Sequence, residues 1–143
     1  MHLYGQLADM QSINEIAKEN KLLDIEDAAQ AHGSTYNNKK TGSLGDVGCF
    51  SFYLSKNMTV AGDGGMIVTD NEEIAEKVRK LTNAGRVSQY EHDIIGYTSR
   101  MSSVHAAIGL VQLSKIHKWN RRRKKVAKLY HEKLSSIKEL SLP

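Results

Sequence analysis

The sequence has little cysteine, little proline and no long apolar run. Its 143 residues contain one cysteine, Cys49, and one proline, Pro143. A single cysteine excludes an internal disulfide framework and any zinc site built from several cysteines. No apolar run approaches the length that crosses a bilayer, and the opening MHLYGQLADM lacks the basic and apolar regions of a secretory signal. We therefore expect a cytoplasmic protein with no membrane partner.

The composition is that of an ordinary globular domain. Hydrophobic residues make up 40% of the chain and charged residues 25%, which excludes a disordered or fibrous protein. The sequence contains no internal repeat and no low-complexity tract. Its length is sufficient for one domain with a hydrophobic core.

The positive charge is concentrated in one segment near the carboxyl terminus. Residues 115–128 contain eight of the 20 lysines and arginines and no acid, which leaves 12 bases against 16 acids elsewhere. The run KIHKWNRRRKKVAKLYHEKL predicts a helix with an apolar face at Val126, Ala127, Tyr130 and Leu134. Because no nucleic-acid motif accompanies the cations, we expect a solvated face or a contact with an anionic ligand, and no nucleic-acid partner.

The order of the predicted elements indicates an α/β fold with few strands and flanking helices. Gly, Ser, Thr, Asn and Lys fill residues 32–46, which predicts a loop. Three strands are few for a sheet covered on both faces, so we expect a part of a larger domain. The predicted helices are 8–20, 71–85, 102–116 and about 119–139, and the predicted strands are 21–27, 47–54 and 64–70.

Four polar residues supply the groups that a pyridoxal 5'-phosphate (PLP) site requires. Lys56 offers an amine that forms an imine, and Asp27 a carboxylate for the pyridine nitrogen. Gln30 and Ser51 offer polar groups for the phenolic oxygen and the phosphate. Asp27 and Glu26 follow a predicted strand, and adjacent strand residues point to opposite faces, so only one of them can face a site.

Three blocks of the sequence resemble the signature segments of the DegT/StrS family of PLP-dependent sugar aminotransferases. The blocks are EDAAQAHG, GSLGDVGCFSFYLSKNMTVAGDGGMIVT and GYTSRMSSVHAAIGLVQL, and the resemblance extends from His2 to about Leu134. It implies the PLP-binding large domain of a fold type I aminotransferase. Residues 1–143 would be a partial domain, and the helix at about 119–139 would lead towards a small C-terminal domain that the chain does not contain.

The resemblance also implies a role for each matching residue. Lys56 is expected to bind the cofactor covalently and to move the proton, and Asp27 to pair with the pyridinium nitrogen. Gln30 is expected to contact the phenolic oxygen and Ser51 the phosphate. The family usually carries asparagine at the position of Thr98, where it reaches the phosphate of the neighbouring subunit. No metal site is expected.

The activity implied is transfer of an amino group from an amino acid, glutamate by resemblance, to a keto sugar nucleotide within a homodimer. A related dehydratase branch carries histidine in place of the lysine, so Lys56 favours amino transfer. The alternative is a regulatory or interaction protein, or an inactive remnant, on the same fold. Lys56 and Asp27 argue against a purely regulatory chain, which requires neither. We also expect the 143-residue chain alone to fold marginally and to lack activity.

Overall fold

The computed structural model describes residues 1–142. A 3-10 turn, Leu3–Gly5, precedes the first helix. The helices are α1 (Met10–Glu19), α2 (Glu72–Thr82) and α3 (Ser103–Leu134), and the strands are β1 (Ile25–Asp27), β2 (Thr35–Tyr36), β3 (Lys39–Lys40), β4 (Val47–Ser51) and β5 (Gly65–Val68).

The central sheet has three strands in the order β1, β4, β5. β1 runs parallel to β4, with Asp27 opposite Cys49, and β5 runs antiparallel to β4, with Gly65 opposite Ser51. The three strands are those that the sequence predicts, and they confirm an α/β fold with few strands. The observed β1 is shorter than the predicted 21–27, since ladder pairing begins at Ile25.

The prediction of a loop throughout 32–46 is wrong in one place. β2 and β3 form a small antiparallel hairpin within it, with Tyr36 opposite Lys39. The two residues between the strands, Asn37 and Asn38, have φ values of 46° and 65°. Positive φ at both central positions is the requirement of a two-residue hairpin turn, and asparagine tolerates it. Strands of two residues are too short to produce a hydrophobic period.

The predicted helix starts are confirmed at two caps. The Asn71 side chain accepts a hydrogen bond from the N–H of Ile74, and the Ser102 hydroxyl accepts one from the N–H of His105. Each cap satisfies one of the backbone donors left unpaired at a helix start. At the other end, α2 stops at Thr82, three residues before the predicted end at 85.

The two predicted helices 102–116 and 119–139 form a single helix, α3. The chain between them, Ile116 to Trp119, contains neither glycine nor proline, so the hydrogen-bond ladder has no reason to stop there. The helix ends at Leu134, where the basic run ends and before the boundary of about 139, and two consecutive serines of low helix propensity follow.

A small hydrophobic cluster packs α3 against the segment that follows Lys56. Phe52, Met58, Val60 and Ile116 are buried together. Gly109 allows close approach, since a Cβ there would lie 3.1 Å from the Val60 side chain. This packing places the middle of α3 beside the Lys56 turn.

Several apolar residues remain exposed, as the small number of strands predicts. Ile16 of α1 is 58% exposed and Val111 of α3 is 55% exposed. The three strands therefore leave part of the apolar faces of α1 and α3 uncovered. Among the described residues, no helix is both long and apolar enough to cross a membrane.

Candidate functional site

Asp27 and Ser51 lie at the same edge of the central sheet. They are the last residues of β1 and β4, which run parallel, so both strands end on one side. Asp27 is in register with Cys49, and Ser51 lies two residues further along, so both side chains belong to the same face. Ligands of open α/β sheets bind at this carboxyl edge.

Glu26 occupies the opposite face and has a structural role. The residue is 2% exposed, and its carboxylate accepts hydrogen bonds from the N–H groups of Gly42, Leu44 and Gly45. The imidazole of His2 contacts the same carboxylate, with Nε2 3.1 Å from Oε2. Burial raises the pKa of Glu26, but these backbone donors outweigh it, so the pKa lies below its usual value.

The alternation predicted for Glu26 and Asp27 is therefore observed. Asp27 is exposed, and its Oδ1 accepts a 3.1 Å hydrogen bond from the N–H of Ala29. Its Oδ2 has no hydrogen-bond partner within residues 1–142. One carboxylate oxygen thus holds the turn after β1, and the other is available to a ligand.

Lys56 lies in a turn after β4, not at the end of a strand. The predicted strand 47–54 stops at Ser51, whose hydroxyl accepts a 3.3 Å hydrogen bond from the N–H of Tyr53. The N–H of Lys56 then donates a 2.9 Å hydrogen bond to the carbonyl of Tyr53. The serine turns the chain out of the strand, and the half-buried lysine follows it.

Lys56 and Gln30 line the same cavity, whose volume is about 860 Å³. The carboxamide oxygen of Gln30 accepts a 3.1 Å hydrogen bond from the N–H of Tyr4, which holds the amide at the rim. The volume lies within the range of small-molecule sites. The part of α3 from His117 to Lys124 contributes to the lining of the same cavity.

His32, at the start of the predicted loop 32–46, is a buried residue of this site. The residue is 5% exposed, and its ring lies 5.3 Å from the ring of Phe50 and 5.8 Å from that of Phe52. Neither ring nitrogen makes a well-formed hydrogen bond. Burial lowers the pKa of His32. The Asn57 side chain and the Ser51 backbone raise it in part, and the positive charge of Lys56 lowers it again.

Two asparagines connect the Lys56 turn to α3 through His32. The carbonyl oxygen of His32 accepts hydrogen bonds from Nδ2 of Asn120, at 2.8 Å, and from Nδ2 of Asn57, at 3.3 Å. The same Asn57 nitrogen lies 3.2 Å from Oδ1 of Asn120. Arg123 adds a 3.3 Å bond to Asn120 and a 3.5 Å contact to the Asn57 carbonyl.

No signal within a single sequence could have identified this network. Asn57 and Asn120 are separated by 63 positions, and Asn120 and His32 by 88. Asparagine is common in loops and helix faces, so neither residue stands out by type. Only the position of His32, two residues after Gln30, hinted at a place near the site.

Thr98 lies apart from the other four predicted residues. It is exposed and pairs with Asn83 in an isolated β-bridge beside the end of α2. It is not among the residues that line the Lys56 cavity. The structure therefore brings Lys56 and Gln30 into one cavity and Asp27 and Ser51 to one sheet edge, but not Thr98. Within residues 1–142 there is no cluster of metal ligands.

Comparison with known proteins identifies relatives of the whole chain. The sequence profile of the DegT/DnrJ/EryC1/StrS aminotransferase family matches residues 1–143. The chain is 43% identical over 143 residues to UDP-N-acetyl-3-dehydro-alpha-D-glucosamine 3-aminotransferase of Acidithiobacillus ferrooxidans. This match covers 100% of the present chain and 38% of the relative. It is 45% identical over 130 residues to a pleiotropic regulatory protein of Geobacillus stearothermophilus, covering 91% of this chain and 35% of the relative.

A solved structure shares the fold. The crystal structure of ntda from Bacillus subtilis, with bound cofactor PMP, superposes with a TM-score of 0.88 at 36% identity. The match covers 96% of this chain and 32% of that one. The predicted fold class is thereby confirmed. The chain spans between 32% and 38% of the length of these relatives.

Proposed function

Because the chain belongs to the DegT/DnrJ/EryC1/StrS aminotransferase family, we propose that it forms the lysine-bearing part of a PLP-dependent sugar aminotransferase. The reaction transfers an amino group from an amino acid to a keto sugar nucleotide. One observation carries the proposal: Lys56 and Gln30 share a cavity, and Asp27 and Ser51 end neighbouring parallel strands at one sheet edge. The name of the Acidithiobacillus ferrooxidans relative supports the substrate class.

The residues present fit the cofactor. Lys56 supplies a half-buried primary amine, and Asp27 a carboxylate oxygen that has no partner within the described chain. Gln30 adds an amide at the cavity rim, and Ser51 a hydroxyl on the same sheet face as Asp27. When bound, PLP supplies a conjugated ring that accepts electrons from the carbon beside the transferred nitrogen.

Each residue then has one task. Lys56 would hold the cofactor through its amine, and its Nζ would take a proton and return it during the transfer. Asp27 keeps the proton on the ring nitrogen, because an adjacent carboxylate favours the charged form of a base. Gln30 donates to the phenolic oxygen and Ser51 to the phosphate.

The remaining parts of the proposal concern the assembly. Thr98 reaches the phosphate of the neighbouring subunit in a homodimer, which agrees with its exposure and its distance from the chain's own cavity. Glutamate is the amino donor, and the protein acts in the cytoplasm. Residues 1–143 are part of the PLP-binding large domain, and the end of α3 leads towards a small domain.

Covalent trapping tests the assignment of Lys56. The protein expressed from its complete reading frame is incubated with PLP, reduced with borohydride and mapped by peptide mass spectrometry. A pyridoxyl group is expected on Lys56, and the Lys56→Ala variant should show none above background. Labelling of another lysine, or of none, would overturn the assignment.

The Geobacillus stearothermophilus relative favours a second function by its name, that of a regulatory protein. A regulatory protein has no need for an imine-forming lysine or for an aspartate whose second carboxylate oxygen is available to a ligand. The same experiment separates the two functions: a protein that regulates without catalysis would leave Lys56 unlabelled and would form no amino sugar from glutamate and a keto sugar nucleotide.

A further inference from the structure

The cavity that contains Lys56 is lined by cations and by no acid. Four of its lining residues are lysine or arginine, two are histidine, and none is aspartate or glutamate. None of the four formal cations forms an ion pair within residues 1–142. A concave surface lined by one sign of charge concentrates its field and attracts ligands of opposite sign. The four cations are Lys56, Arg121, Arg123 and Lys124.

The cations of α3 form a stripe along one face of the helix. His117, Arg121 and Lys124 occupy positions i, i+4 and i+7, which lie one above the other. The stripe extends about 10 Å along the axis at about 1.5 Å per residue. It therefore presents two cations, Arg121 and Lys124, to the cavity that also contains Lys56.

Asn120 belongs to the same face and holds it in place. Its amide bonds the His32 carbonyl and meets Asn57, the residue next to Lys56. Arg123 is occupied by Asn120 and the Asn57 carbonyl. Arg121 and Lys124 have no hydrogen-bond partner within the described chain, so their donors are available to a ligand at a position set relative to Lys56.

We propose that Arg121 and Lys124 bind the phosphate groups of the nucleotide-linked substrate. The inference rests on the proposed function, which supplies a sugar attached to a nucleoside diphosphate. A diphosphate carries more than one negative charge over two neighbouring groups, and the stripe offers more than one cation. Arginine binds a phosphate through two parallel N–H donors, and lysine adds a point charge. A phosphate bound here leaves the sugar within the cavity that contains Lys56.

Calorimetric titration with UDP tests the site on the protein expressed from its complete reading frame. The double variant Arg121→Gln/Lys124→Gln should raise the Kd of UDP about 30-fold, because two charge-assisted contacts are lost. The matched control, Lys118→Gln/Lys125→Gln, removes the same charge from the same helix outside the cavity and should raise it less than about threefold. Uridine, without phosphate, should bind the parent and both variants equally.

The phosphate could instead be that of the cofactor, and a second measurement distinguishes the two sources. Borohydride trapping of PLP on Lys56 should proceed to the parent level in the Arg121→Gln/Lys124→Gln variant. Loss of trapping with parent UDP affinity would assign these cations to the cofactor phosphate and overturn the proposal. Equal weakening of UDP by the control pair, or no binding of UDP to the parent, would overturn it as well.

Failure of the proposed function has a different signature. If the parent binds UDP through Arg121 and Lys124 but PLP never labels Lys56, the phosphate site stands and the aminotransferase assignment is wrong.

Discussion

The side-chain amide of Asn120 donates a 2.8 Å hydrogen bond to the main-chain carbonyl of His32, 88 positions earlier in the chain. The bond joins α3 to the loop that follows β1. Since Asn57 meets the same two groups, the contact also fixes the turn that carries Lys56. The position of the lysine therefore depends on a helix that is remote in sequence.

Removing this amide should destabilise the protein. Asn120→Ala leaves the His32 carbonyl with one donor and removes one of the two acceptors that Arg123 contacts, so we expect a loss of about 1–2 kcal/mol in the free energy of unfolding. Urea unfolding measures it. Lys118→Ala, an exposed change on the same helix, should cost less than about 0.5 kcal/mol. Equal effects of the two substitutions would contradict a role for the amide.

Asp27→Asn should lower turnover far more than it lowers retention of PLP. The asparagine oxygen can still accept from the N–H of Ala29, so the turn after β1 is preserved. The negative charge is lost, and it is needed most when electrons enter the cofactor ring. We expect kcat to fall on the order of 100-fold, with cofactor retention after dialysis changed only a few-fold. Equal losses in both quantities would indicate a structural aspartate.

His32 should make stability depend on pH below neutrality. Burial lowers its pKa below the usual 6.5, so the unfolded state takes up a proton more readily than the folded state. Stability should therefore fall as pH decreases from about 6.5 towards the folded pKa, and be regained as pH rises. His32→Phe removes the titrating ring while preserving its packing on Phe50 and Phe52, and should flatten this dependence.

The control for this variant is His131→Gln, which changes an exposed ring near the end of α3. Urea unfolding at intervals between pH 7.5 and pH 5, an interval chosen to span the ordinary histidine pKa of about 6.5, provides the comparison. Glu26 also makes the protein less stable as the pH falls, but at lower pH than His32. Its pKa is lowered in the folded state, so the stability that the ionised carboxylate contributes is lost in acid. An unchanged pH slope in His32→Phe would show that the buried ring does not titrate differently on unfolding.

Gly48→Ala should be strongly destabilising. A Cβ at Gly48 would lie 2.3 Å from the Cα of Gly42, which is main chain and cannot rotate away. We expect a loss of about 2 kcal/mol or more in unfolding free energy. At Gly62 the Cβ would instead meet the His105 ring at 2.7 Å, and that side chain can turn aside. Gly62→Ala is therefore the milder matched change. A larger loss of stability in Gly62→Ala than in Gly48→Ala would contradict the close approach of Gly48 to the main chain of Gly42.

Features encoded by short stretches were predictable from the sequence. Asn71 and Ser102 cap their helices because each side chain bonds a backbone group three residues away. Glu26 and Asp27 face opposite sides because side chains alternate along any strand. The prediction failed at the β2–β3 hairpin, where the strands are too short to show a hydrophobic period. It also failed in α3, where two helices were predicted although no glycine or proline separates them.

The sequence by itself determined the family, the few-stranded α/β fold and the residue types of the candidate site, since motif spacing, periodicity and caps are local properties. Only the tertiary structure decided that His32 is buried beside Lys56, that Asn57 and Asn120 meet at its carbonyl, and that Arg121 and Lys124 of α3 line the same cavity as Lys56. These contacts arise when α3 packs on the segment after Lys56, and the packing depends on burial of side chains far apart in the chain, which no short window of sequence records.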